Sequence, residues 1–139
     1  QSIKLPIVLI DGDRQQMIDV DAWATHEGFC SAAIPVGAGR FTVAVRWGAL
    51  FEWVELQEAR FHRVSEFAAN GLEQRKEREA TLIHDAIQTP SDRLLHCTSE
   101  HGVTLIPPCP VTDSEPMVLN LIFRPIVRRE EVGAARAVA

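Results

Sequence analysis

The chain of 139 residues is about one domain long. Its 46% hydrophobic and 24% charged residues are those of an ordinary globular protein, which excludes a disordered, collagenous or purely coiled-coil chain. Nineteen acidic against fourteen basic residues leave a net charge of −5 and no broad positive surface for a phosphate backbone, so nucleic acid is not an expected partner.

Residues 3–10, IKLPIVLI, are β-branched and apolar and stop at Asp11-Gly12-Asp13, which predicts a strand and then a turn. Pro6 has no N–H to give a ladder, so this strand is expected at an edge, or with the proline nitrogen on an unpaired side. Residues 14–20 read as the return strand of a hairpin, while Asp19 or Asp21 equally suits the cap of a short helix over residues 22–28. Two further strand-like runs, 29–36 and 40–46, flank Gly37-Ala38-Gly39 and predict a second hairpin. In the latter run Phe41, Val43 and Val45 alternate with Thr42, Ala44 and Arg46, and the first set is expected to face the core.

The apolar period then changes. Leu50, Val54, Phe61, Val64, Ala68 and Leu72 recur at helical spacing, and continuing to Gln88 would make a helix of about 40 residues, near 60 Å, twice a small domain's diameter. A break at Asn70-Gly71 resolves this into two helices, about 49–69 and 72–88. Arg75, Lys76 and Arg78 interleave with Glu73, Glu77 and Glu79 as a solvated face of the second. Beyond Pro90, residues 93–98 and 103–106 read as short strands around Ser99-Glu100-His101-Gly102, and 117–127 as another, with Pro125 marking an edge. Pro107, Pro108, Pro110 and Pro116 stiffen the intervening loop, and residues 130–139 form a loosely held tail.

The expected fold is therefore a single α+β domain, an antiparallel sheet of about five strands with both helices packed on one face. No apolar run reaches the length of a membrane span, so no membrane is expected as partner. Three cysteines, Cys30, Cys97 and Cys109, are an odd number with no CxxC pair, which argues for free thiols and a cytoplasmic setting.

No motif names a chemistry, and no cofactor is expected. Asp11 and Asp13 at a strand's carboxyl end would suit a hard cation, yet they also read as plain turn residues. His26 and Cys30, four apart, would share a helix face and offer zinc ligands to be completed by His96, Cys97 or His101, but the set matches no zinc signature. Cys97 with His96 or His101 is the candidate nucleophile and base of a small enzyme or ligand-binding pocket. Trp47, Phe51 and Trp53 crowd a junction where one helix face cannot bury all three, so either a second sheet covers the remainder as core or they form the candidate contact surface. The leading expectation is an interaction or regulatory module without catalysis, binding a protein partner or a second copy as a homodimer through that junction, a helix face or an edge strand.

Overall fold

A computed structural model describes residues 2–37, 41–65, 78–80, 82–84, 87–88, 94–97, 102–108 and 116–128. Strands β1 (Ser2–Asp11) and β2 (Arg14–Ala24) form the expected first hairpin, in register from Ser2 opposite Trp23 to Asp11 opposite Arg14. Gly12, at φ 59°, takes the first central position of the two-residue turn, where a type II′ turn requires a residue with positive φ. β2 continues through Ala24, so no helix is capped at Asp19 or Asp21.

The remaining strands are β3 (Cys30–Gly37), β4 (Thr42–Arg46), β5 (Phe51–Arg63), β6 (Arg78–Glu79), β7 (Ile83–His84), β8 (Ile87–Gln88), β9 (Leu94–His96), β10 (Val103–Ile106) and β11 (Met117–Arg128). They pair antiparallel in the order β6-β5-β11-β3-β2-β1-β4-β10-β7-β8, with β9 also on β5. β9 and β10 sit toward opposite ends of this order, yet only a short connection separates them. Their neighbourhood is sealed by the Gly48 N–H donating to the Gly102 carbonyl at 2.9 Å and the Cys97 N–H donating to Glu52 at 2.8 Å. The sheet consequently curls into a half-barrel around its apolar face.

This architecture overturns the α+β expectation: the described residues are nearly all antiparallel sheet and contain no helix of seven or more residues. Over Phe51–Arg63 the expected 49–69 helix is replaced by β5, its last residues 66–69 lying outside the described ones, and the described parts of the 72–88 segment include β6, β7 and β8. The Asn70-Gly71 break lies outside the described residues. The reason is visible in the pairing of β5 with β11, whose register slips so that Gln57 and Glu52 are extra residues on β5 and Ile126 is one on β11. Each β-bulge adds one to the period of two. The buried positions of β5 thus fall at Phe51, Val54, Leu56, Ala59 and Phe61, in steps of three and two that imitate a helical stripe.

Strand pairing also departs from the sequence reading. β3 and β4 both form, but β3 bonds to β2 and β11 while β4 bonds to β1 and β10, so they are not a hairpin. The two short strands read at 93–98 and 103–106 both form, β9 on β5 and β10 on β4. The core face of β4 is as expected, with Val43 and Val45 fully buried and Phe41 packed against the core.

The edge positions inferred from Pro6 and Pro125 are corrected too, because β1 and β11 are both interior strands. Residues of an antiparallel ladder direct their N–H and C=O groups alternately to one neighbour and the other. Counting from the Asp11–Arg14 pair that closes the turn, the Pro6 nitrogen faces β4 one place past Ile7–Val45, where that ladder ends. The same count aims the Pro125 nitrogen at β3, beyond its last pair at Phe123–Cys30. The nitrogen of Pro35 faces β2, whose pairing with β3 covers only residues 22–24. Each proline stands where a neighbour has stopped, so none removes a ladder bond.

Candidate interaction surface

Trp47 and Phe51, for which the sequence left both core and contact surface open, lie in the core. Trp47 opens a short 3-10 turn, Trp47–Ala49, between β4 and β5, and its indole packs edge-on against Phe123 with ring centroids 4.9 Å apart. Phe51 completes the trio at 6.0 Å from Phe123. The buried indole Nε1 donates to Thr104 Oγ1 at 2.8 Å, which satisfies two polar groups that the core would otherwise strand. One curled sheet thus buries two of the three junction aromatics, with no helix needed.

Trp53 behaves differently. It is half-buried on the outer face of β5, where its neighbours across the ladders are His96 of β9 and Val127 of β11. The His96 ring stacks on the indole with centroids 4.4 Å apart and planes 28° from parallel. Next along the strand, Glu55 stands between Leu94 and Arg124. Arg124 pairs with the Glu55 carboxylate and lies 5.1 Å from the ring centroid of Phe29. Around this group Leu94, Ile126 and Val127 are 48%, 47% and 38% exposed. Sequence reasoning missed these three aliphatics because their exposure follows from pairing and bulges. An available signal was the parity of Leu94 with His96, which puts both on the face opposite buried Leu95.

The residues named for chemistry are dispersed. Cys97 is fully buried and Cys30 nearly so, while His96 is exposed on the opposite side of its strand from Leu95. Burial pushes the Cys30 thiol above its ordinary value, with Arg128 pulling the other way. His26 sits exposed in the turn between β2 and β3, where its carbonyl accepts from the Phe29 N–H at 3.2 Å, so His26 and Cys30 do not share a helix face. Asp11 and Asp13 flank Gly12 at the exposed hairpin tip. His101 and Cys109 lie outside the described residues. Among the described residues no three His, Cys, Asp or Glu side chains are grouped so as to hold a metal ion.

A second outer-face feature lies across β1, β2 and β4. A shallow depression of about 120 Å³ is lined by Pro6, Ile7, Val8, Met17, Ile18, Asp19 and Arg46. It contains no cysteine or histidine, and it is well below the ~300–1,000 Å³ of an ordinary small-molecule site. No helix of the described chain is long and apolar enough to cross a membrane. In comparison with known proteins, no family model matches the chain, and neither does any curated protein or solved structure.

Proposed function

We propose that this protein is a non-catalytic interaction module that self-associates through the outer face of β9, β5 and β11. The observation that carries this reading is the group of exposed aliphatics, Leu94, Ile126 and Val127, beside the stacked Trp53 and His96. An apolar patch with an aromatic anchor and a charged rim, here Glu55 and Arg124, has the anatomy of a protein contact. A two-fold pair of such patches is the commonest way for one chain to cover them. The competing enzyme reading asks a thiolate to meet a base, whereas Cys97 is buried and His96 lies on the outer face. Free Cys30 and Cys97 support a reducing, cytoplasmic setting.

Sedimentation velocity over a wide concentration series tests the proposal. The wild-type chain is expected to sediment as a dimer, and the double variant Leu94→Glu with Val127→Glu as a monomer with unchanged far-UV circular dichroism, because both side chains are exposed. A wild-type monomer at all concentrations refutes self-association, and a dimer that survives both substitutions refutes this surface.

A further inference from the structure

Among the described residues, the β1–β2 hairpin carries an open strand edge. β2 pairs with β1 from Arg14 to Trp23, but with β3 only at Ala22, Trp23 and Ala24. Along residues 14–21 no described strand lies on the other side of β2. By the alternation counted from the turn, Gln15, Met17, Asp19 and Asp21 direct their backbone N–H and C=O groups to that open side, while Gln16, Ile18 and Val20 bond to β1. The facing edge of β3 is blunted by Pro35, a standard protection against strand addition. β2 has no proline along this stretch.

The outer face beside this edge has a definite chemistry. Met17 is 71% exposed and, with Pro6 and Val8, forms the apolar floor of the depression, which Asp19 and Arg46 border. Its volume suits one side chain from a segment laid along β2. The hairpin is acidic, carrying Asp11, Asp13, Asp19 and Asp21 against Lys4 and Arg14. Lys4 is already engaged with Asp21 at 2.8 Å, which leaves Asp19 as the exposed carboxylate next to the depression, across from Arg46.

A second copy fits this edge poorly. Two β2 strands related by a two-fold axis must place residues of equal parity opposite each other. Centred on Met17, that pairing sets Asp13 against Asp21; centred on Gln16, it sets Asp13 against Asp19; centred on Asp19, it sets that residue against itself. Centred on Ile18, it leaves the Asp19 side chains as diagonal neighbours. Like charges so placed are unfavourable.

We infer that the open edge of β2 binds an extended segment of a partner protein by strand addition, the segment presenting basic side chains to Asp19 and an apolar one to the depression beside Met17. The site is separate from the Trp53 face, and neither depends on the other.

The test uses the intact chain with a capped synthetic peptide of repeating Thr-Lys-Thr-Val, which puts both lysine and valine on one face of the added strand. Controls are the same peptide with glutamate for lysine, and one N-methylated on alternate residues so that it cannot pair. Residue-resolved amide exchange is the readout. The lysine peptide is expected to slow exchange at Gln15, Met17, Asp19 and Asp21 while leaving Gln16, Ile18 and Val20 unchanged, and to bind about tenfold or more tightly than the glutamate peptide. Met17→Pro is expected to abolish binding, since it removes an outward N–H and leaves the β1 ladder intact. Asp19→Lys keeps the N–H and is expected to transfer the preference to the glutamate peptide, which retains a test should Met17→Pro fold badly. Equal binding of the N-methylated peptide, uniform protection, or no protection overturns the inference. Alternating protection without peptide that disappears on dilution also overturns it, in favour of a second copy.

Discussion

Gly102→Ala is the substitution whose cost the structure specifies most directly. A Cβ at this position would sit 2.5 Å from Gly48 Cα, 2.6 Å from Gly48 N and 2.7 Å from Cys97 Cβ, all far inside contact distance. Two of these atoms are backbone, and the third is the first carbon of a fully buried side chain, so no flexible group can swing away. Relief requires the backbones at Gly48 and Gly102 to part, which weakens the 2.9 Å bond between them. Overpacking costs about 1–3 kcal/mol and a lost hydrogen bond about 1 kcal/mol, for a sum near 3 kcal/mol. At about 3–4 °C per kcal/mol for a chain of this size, the melting temperature falls by roughly 10 °C. Urea unfolding followed by tryptophan fluorescence measures the loss, since Trp47 lies one residue from the contact. Gly12→Ala is the reference: its Cβ meets nothing within 4 Å, but φ stays at 59°, so the expected cost is only about 1 kcal/mol. Cys97→Ala on the Gly102→Ala background rescues nothing, because alanine keeps the offending Cβ. A Gly102→Ala variant within about 0.5 kcal/mol of wild type refutes the close approach, and with it the sealing of the curled sheet between β9 and β10.

Thr104→Val preserves shape but leaves the buried Trp47 Nε1 without its acceptor, so denaturant midpoints are expected to report a loss of about 1–3 kcal/mol. No loss would show that the indole finds another partner. The Lys4–Asp21 pair gives a pH signature: Lys4 lowers the Asp21 carboxyl below its ordinary 3.8, and Asp21 raises the Lys4 ammonium above its ordinary 10.5. The stabilisation from Asp21 is therefore present above 3.8 and lost as pH falls through the lowered folded value, and that from Lys4 is present below 10.5 and lost as pH rises through the raised one. Urea midpoints of wild type and Lys4→Met should differ slightly at neutral pH and low salt, and converge at strongly acid pH; a difference that persists in acid refutes the assignment to charge.

Much of the local structure is legible in the amino-acid order. The apolar run of β1 and Gly12 specify a strand and a tight turn, and the alternation of Phe41, Val43 and Val45 identifies the core face of β4. The candidate surface is legible only in part: Trp53 stands out by type, but its separation from Trp47 and Phe51 depends on which side of a bulged strand each occupies. Leu94 is signalled only by its parity with His96, and Ile126 and Val127 carry no signal as exposed residues until β11 is known to flank β5.

What the sequence by itself determines is the set of strand-forming segments at both ends of the chain, the first turn and the absence of any familiar catalytic motif. Local φ preference and side-chain alternation act over a few residues and need no partner to be read. Tertiary structure decides the rest: the strand character of residues 51–63, where bulges convert the period of two into a false helical stripe, and the separation of β3 from β4 and of β9 from β10 in the sheet. It also decides the tolerance of Pro6, Pro35 and Pro125 in interior strands. Ladder bonds join residues far apart in the chain, so the strand that lies beside another, and the point where it stops, is settled only when the sheet closes on its core.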